Sequence, residues 1–266
     1  SITGTSSSIS VSAAGASTFT VSAPGGATAG SAFSVTVTAQ DAYGNTATGY
    51  TGTVHFTGGG SGATLPSDYA FTGGDAGTHT FTNGVTLSAA GSRAITATDT
   101  VTGSITGASG AIAVAPAGAA TLAVTAPGSA TAGTAFSVTV TAKDAYGNTA
   151  TGYTGTVTFS GGGTGATLPS DYTFTSGDSG THAFTNAVAL TQGGIRTITA
   201  TDTITGSITG TSSTIAVSGA SATTLTVSAP GSATAGSPFS ITVTAKDAYG
   251  NTATGYTSTV HFTGGG

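Results

Sequence analysis

The sequence predicts an all-β protein made of tandem two-sheet sandwiches arranged as an extended rod, and three observations predict it. A segment of about 100 residues recurs with no insertion or deletion. Within it, apolar and polar residues alternate with a period of two. The polar surface is left almost wholly to Thr, Ser, Gly and Asn, because the 266 residues include only 4 Lys or Arg and 9 acids, all of them Asp. A soluble domain is ordinarily about 25% charged, whereas this chain is 5% charged. Gly, Thr and Ser stand where long helices would need Ala, Leu, Glu and Lys.

The composition also excludes function classes. Four basic residues give no patch able to neutralise a run of phosphates, so no nucleic-acid partner is expected. The absence of Cys removes disulfides, thiolate zinc sites and thiol catalysis. No run of 18 or more apolar residues occurs, so no membrane insertion is expected within these residues. The first residues, SITGTSSSIS, lack the charged start and apolar core of a signal peptide.

The repeat is read directly. SITG begins at Ser1, Ser104 and Ser207, DAYGNTATGY at Asp41, Asp144 and Asp247, and TDTVTG at Thr98 answers TDTITG at Thr201. Every spacing is 103 residues, too long for a solenoid unit and right for one small all-β domain. The expected divisions are residues 1–14 as the last strand of a preceding sandwich, 15–116 and 117–219 as whole repeats, and 220–266 as the first half of a third.

The second repeat shows each element in order. Thr121 to Ala126 makes the first strand and PGSATAG closes it. The second strand, Phe136 to Lys143, turns Phe136, Val138, Val140 and Ala142 inward and Ser137, Thr139, Thr141 and Lys143 outward. DAYGN turns the chain, with Gly147 and Asn148 tolerating positive φ. A third strand then places Tyr153, Gly155, Val157 and Phe159 inward. GGGTGATLP leads to a fourth strand around Tyr172 and Phe174, SGDSG makes the next turn, and three more strands run His182 to Leu190, Ile195 to Asp202 and Ile208 to Val217. Seven short strands in about 100 residues is the signature of an immunoglobulin-like sandwich. The three strands after Ser221 cannot close a two-sheet core. Further chain completes them, or a strand of a neighbouring identical molecule does, which would make a fibre.

From Asp41 to Phe56, DAYGNTATGYTGTVHF resembles the bacterial immunoglobulin-like (Big) repeats of invasin- and intimin-type surface proteins, in its Asp and Gly-Asn turn followed by a Gly-x-x-Val-x-Phe strand. GTHTF, Gly77 to Phe81, is similar to the fifth-strand start of filamin-type sandwiches. The resemblance implies a non-enzymatic stalk at the cell surface or outside the cell, with an adhesive tip elsewhere in the chain. The partners it implies are neighbouring repeats and identical chains of a fibre. The alternative it carries is an adhesin whose repeats themselves bind glycan or another cell's surface.

Several side chains are candidates for a site. Immunoglobulin topology should gather Asp41, Asn45, Asp75 and Asp99 at one pole of the first repeat, and Asp144, Asn148, Asp178 and Asp202 at that of the second, with Asp68 able to face the second cluster. Oxygen ligands converging at a junction are how Ca²⁺ is held. The competing reading is that each Asp or Asn simply caps its own turn. Arg93 and Arg196 are expected at the opposite pole, pairing with Asp68, Asp171 or the next domain's acids. His55 and His261 point outward where the second repeat has Thr158. His79 and His182 sit inward, four residues after an Asp, and read as hydrogen-bonded rim residues, because one nitrogen is a poor metal site. Lys143 and Lys246 face outward where the first repeat has Gln40, against an isopeptide crosslink. GGGSGA around Ser61 lacks the Gly of a nucleophile elbow, and the second repeat has Thr164 there. Tyr43, Tyr146 and Tyr249 in the DAYGN turns could stack on sugars or pack on their own hairpins, whereas Tyr50 and Tyr153 have the parity of core residues.

With so few ions on the surface, the fold should be nearly indifferent to ionic strength. The melting temperature is expected to stay within about 10 °C between low and molar NaCl, and a larger shift contradicts it.

Overall fold

The computed structural model describes residues 1–264. The chain divides into two compact units, Ser1–Ala117 and Gly118–Gly266. The first holds one sandwich built from β1 (Thr18–Ser22), β2 (Gly26–Thr28), β3 (Ala32–Gln40), β4 (Thr53–Gly58), β5 (Tyr69–Ala70), β6 (Thr78–Thr86), β7 (Gly91–Arg93), β8 (Ile95–Asp99), β9 (Thr106–Ala108) and β10 (Ile112–Ala115). One sheet has the order β1-β3-β6 and the facing sheet β5-β4-β8-β9. A small third sheet, β2-β10-β7, closes one end, and in it β2 runs parallel to β10.

Alternation builds the core. Along β3, Val35, Val37 and Ala39 are fully buried while Thr36 and Thr38 face out, and across the gap Val54, Ile95 and Ala97 do the same from β4 and β8. Leu87, Ile112 and Val85 fill between them. Tyr50 lies edge-on to Phe19 and Phe71, with ring centroids 5.4 and 5.1 Å apart, a favourable aromatic geometry. On the outer face, threonine hydroxyls bond across strands, as Thr36 Oγ1 with Thr80 Oγ1 (2.9 Å) and Thr98 Oγ1 with Thr106 Oγ1 (2.9 Å). The polar coat is thus tied together without ions.

The second unit repeats this plan in β11 (Thr121–Thr125), β12 (Ser129–Thr131), β13 (Ala135–Lys143), β14 (Thr156–Gly161), β15 (Tyr172–Thr173), β16 (Thr181–Ala189), β17 (Gly194–Arg196), β18 (Ile198–Asp202), β19 (Thr209–Thr211) and β20 (Ile215–Ser218). The orders are β11-β13-β16, β15-β14-β18-β19 and β12-β20-β17. The same unit carries the start of the third repeat, β21 (Thr224–Ser228) paired antiparallel with β22 (Thr242–Lys246).

Ten short strands therefore stand where seven were expected, because three of the seven change sheets. The first crosses at a Pro-Gly kink from β1 to β2. The sixth splits at Ala94, whose carbonyl accepts the Gly59 N–H (2.8 Å) between β7 and β8. The last splits at Ser109: its hydroxyl accepts the Ile95 N–H (3.0 Å) and donates to the Gly110 carbonyl (2.8 Å), releasing β10 to cross over. Ser212 does the same for Ile198 (3.1 Å) in the second repeat. The third strand also starts later than expected, at Thr156 rather than Tyr153, because the Tyr153 ring plugs the end of the core instead of joining a ladder. Where β1 meets β9, a Cβ on Gly107 would overlap the Phe19 carbonyl, and one on Gly210 would overlap that of Leu122, so only glycine lets the two sheets touch there.

Each complete repeat has its own core. Leu87→Ala is expected to cost the first repeat about 2–5 kcal/mol. Hydrogen exchange should show amides of β3 and β8 opening more readily while those of β13 and β18 keep their protection.

Candidate functional site

The DAYGN turn is densely hydrogen-bonded in each repeat, and the leading Asp is why. Asp41 is 2% exposed. Its Oδ1 accepts the N–H groups of Tyr43 (2.9 Å) and Asn45 (2.9 Å), and the Asn45 side-chain amide bonds both carboxylate oxygens (3.2 and 3.0 Å). Its Oδ2 also accepts the N–H of Ala14, in the chain leading into the repeat (3.0 Å). The Asn45 amide and these backbone donors hold the carboxyl down at about 2, since they favour its charged form. Asp247 is built the same way. It accepts Tyr249 N–H (2.9 Å), Asn251 N–H (2.8 Å) and, on Oδ2, Ala220 N–H (2.9 Å). Burial pushes this carboxyl up, but Asn251 and the backbone donors outweigh it and bring it to about 2. Asp144 takes Tyr146 N–H (2.9 Å) and Asn148 N–H (2.8 Å).

Asp99, Asp202, Asp75 and Asp178 also accept several hydrogen bonds each. Asp99 Oδ2 accepts the Tyr50 hydroxyl at 2.5 Å and Oδ1 accepts Val101 and Thr102 N–H; Asp202 and Tyr153 repeat the pair at 2.5 Å. Burial opposes the charge on Asp99 and Asp202, yet these donors hold both below the usual carboxylate range, and burial beside a carboxylate pushes Tyr50 and Tyr153 well up. Asp75 and Asp178 end the 3₁₀ turns Gly73–Asp75 and Ser176–Asp178. Each accepts the N–H and hydroxyl of the preceding Thr72 or Thr175, and each holds His79 or His182 Nδ1 at 2.8 or 2.7 Å. The backbone donor from Thr175 leads in holding Asp178 at about 2, with His182 next. The two His rings stack on Tyr69 and Tyr172 with centroids 3.9 and 3.8 Å apart, as rim residues do.

The residues expected to share a calcium site each have hydrogen-bond partners of their own. Among the described residues no group of three or more His, Cys, Asp or Glu is placed to hold a metal ion. Asp41, Asp75, Asp99, Asp144, Asp178 and Asp202 each serve a turn, Asn45 and Asn148 bond the Asp of their own turns, and Asp68 bonds His55 Nδ1 at 2.6 Å. The arginines depart from expectation too. Arg93 donates to the carbonyls of Ala89 (3.1 Å) and Ala90 (2.7 Å), and Arg196 to those of Gln192 (3.1 Å) and Gly193 (2.7 Å). They stiffen the loop before their own strand, and no ion pair with an Asp forms among the described residues. A planar fork suits two adjacent carbonyls as well as it suits a carboxylate.

Inside the second unit this stiffened loop meets the third repeat. Asn251 Nδ2 donates to the Thr191 carbonyl (2.8 Å) while its Oδ1 accepts the Gly193 N–H (2.7 Å). The Asn side chain thereby copies a β-ladder pair. Its Nδ2 also reaches Asp247 Oδ2 (2.8 Å), so one carboxylate connects the turn, the connecting chain at Ala220 and the loop of the repeat before. Tyr249 lies over Gly133, whose missing Cβ would overlap its ring and hydroxyl. The expectation that this tyrosine packs on its own hairpin is thus corrected for the third repeat. Sequence reading missed the joint because each partner is a backbone group of a residue whose side chain is unremarkable. The signal available was the fixed spacing between each Asp-Ala-Tyr-Gly-Asn and the Gly-rich loop 58 residues before Asn251.

A cleft of about 440 Å³ beside Ala14, Tyr50, Gly52 and Asp99 has its two reactive groups bonded to each other.

The chain's architecture is similar to that of several solved structures. FdeC, an Escherichia coli adhesin, is 24% identical with a TM-score of 0.46, over 92% of this chain and 79% of that one. InvD of Yersinia pseudotuberculosis is 22% identical with a TM-score of 0.37, over 88% and 71%. Invasin, a bacterial integrin-binding protein, is 19% identical with a TM-score of 0.35, over 90% of this chain and 48% of that one. No family model and no curated protein matches the sequence. No helix among the described residues is long and apolar enough to cross a membrane.

The depressed carboxyls fix how stability depends on pH. An unfolded Asp titrates near 3.9, whereas Asp41, Asp178 and Asp247 titrate at about 2 in the fold. The stability they supply is complete above about pH 4 and is lost as pH falls toward about 2. Melting temperatures are expected to be level from about pH 7 to about 5 and to fall below about 4; a decline beginning near pH 6 contradicts this.

Proposed function

We propose that these repeats are a non-enzymatic spacer in a bacterial stalk or fibre at the cell surface or outside the cell. The observation that carries it is the pinned connection. The chain leading into a repeat is bonded through Ala14 to buried Asp41 in one unit and through Ala220 to buried Asp247 in the other. Tandem domains joined by loose chain add little reach, whereas a buried charge-assisted hydrogen bond, a strong class of hydrogen bond, fixes where the chain enters the repeat. The threonine coat supports the same reading, since cross-strand hydroxyl pairs maintain a soluble outer face independently of salt. The names of the similar proteins, an adhesin and an integrin-binding protein among them, agree with a surface location. For adhesion by the repeats themselves the exposed aromatic would be the DAYGN tyrosine, and in the third repeat that ring is placed against Gly133.

The test is how size grows with repeat number. Adding copies of residues 104–206 in register ahead of Ser1 should raise the maximum dimension in small-angle X-ray scattering by an equal step each time, about 30–40 Å, of which strands of roughly 7–10 residues supply about 23–33 Å and the turns the rest. Growth as a compact globule, with steps that shrink, overturns the spacer reading.

A further inference from the structure

The DAYGN turn occurs in an unengaged and an engaged form within this one chain. In the first repeat the Asn45 amide nitrogen has only the two oxygens of Asp41 as partners among the described residues, at 3.2 and 3.0 Å, and Tyr43 is 85% exposed. In the third repeat the equivalent Asn251 keeps one bond to Asp247 and turns the rest of its amide to Thr191 and Gly193, while Tyr249 is 50% exposed and lies over Gly133. The engaged form needs no new backbone in the turn: the Asp-to-N–H distances differ by 0.1 Å or less between the two.

The receiving side is pre-built as well. The loop Thr191–Gly193 is fixed by Arg196 on two carbonyls, by the Thr191 hydroxyl donating to the Thr164 carbonyl (3.0 Å) and by Gln192 Oε1 accepting the Thr164 N–H (3.2 Å). That leaves the Thr191 carbonyl and the Gly193 N–H facing the Asn side chain. The neighbouring Gly133 N–H donates to the Leu190 carbonyl (2.8 Å), which fixes the flat seat for the tyrosine beside the loop. A rigid donor and acceptor pair facing a rigid amide loses little freedom on docking.

We infer that Tyr43 and Asn45 form a docking surface for one kind of partner, the Arg-braced loop and adjacent glycine of another repeat of this same type placed ahead of the first. Asn45 would release one Asp41 oxygen and span the loop's carbonyl and N–H, and Tyr43 would cover the glycine. The turn is then a plug and the loop its socket, and each added repeat brings one of each. The inference rests on the spacer reading for its choice of partner, but its test is separate, since amide protection can fail where overall length still grows in equal steps.

The experiment is residue-resolved hydrogen exchange with two chains. In the 266-residue chain, Asn251→Ala should speed exchange at Gly193 about tenfold, the effect of one lost hydrogen bond. Asn251→Asp, which sets a carboxylate oxygen against Asp247 and the Thr191 carbonyl where the amide nitrogen donated, should speed it at least as much, and Asn45→Ala should leave Gly193 unchanged. In a chain lengthened by one copy of residues 104–206 joined ahead of Ser1, the glycine of the added copy that corresponds to Gly193 should be protected. Asn45→Ala should abolish that protection, and Tyr43 should become less accessible to nitration. Equal exchange of that glycine with Asn45 and with Ala at 45, or a Gly193 indifferent to both Asn251 variants, overturns the inference.

Discussion

A buried aspartate whose charge is carried by hydrogen bonds organises each repeat. Asp41, Asp144 and Asp247 are each 3% exposed or less, in a chain with 4 Lys and Arg in total. A charge so placed is tolerable only if hydrogen bonds replace its lost water, and at Asp41 and Asp247 the donors that do so come from separate places: the turn itself, its Asn, and the chain leading into the repeat. Solvating the charge and fixing the connection are therefore the same act. The Asn then has one amide hydrogen and one carbonyl left to offer a neighbour, as Asn251 does.

The same economy appears elsewhere. Asp99 and Asp202 use a core tyrosine and two backbone amides, tying the tyrosine segment ahead of the third strand to the end of β8 or β18. Arg93 and Arg196 satisfy their guanidinium groups on carbonyls. These Asp and Arg side chains mostly shape backbone, and the ion pairs among the described residues are His–Asp contacts. Each repeat becomes a stiff body with a stiff turn at one end and a stiff loop at the other, which suits a part whose use is to hold distance.

Much of this was legible in the sequence. The 103-residue period follows from recurring segments, and the inward parity of Val138, Val140 and Ala142 and the core placement of Tyr50 and Tyr153 follow from side-chain alternation, which is a local property. The sheet switches at Ala94, Ser109 and Ser212 were not legible, because they depend on which strand lies across the gap. Polar residues in turns pointed in two directions at once. Convergent Asp and Asn suggested calcium, while an Asx side chain also reaches its own backbone, and these acids accept hydrogen bonds from their own turns. The joint was invisible for a related reason: Thr191 and Gly193 contribute only backbone atoms, and a sequence does not show which backbone groups are left without partners in their own repeat.

Removing the carboxylate tests the central claim most directly. In the 266-residue chain carrying Asp247→Ala, hydrogen exchange at Ala220, Tyr249 and Gly193 should accelerate together, since the connecting chain, the turn and the preceding repeat's loop all depend on that one group. Acceleration confined to Tyr249, with Ala220 and Gly193 as protected as before, would show that the turn and the joint are independent and would contradict the coupling described here.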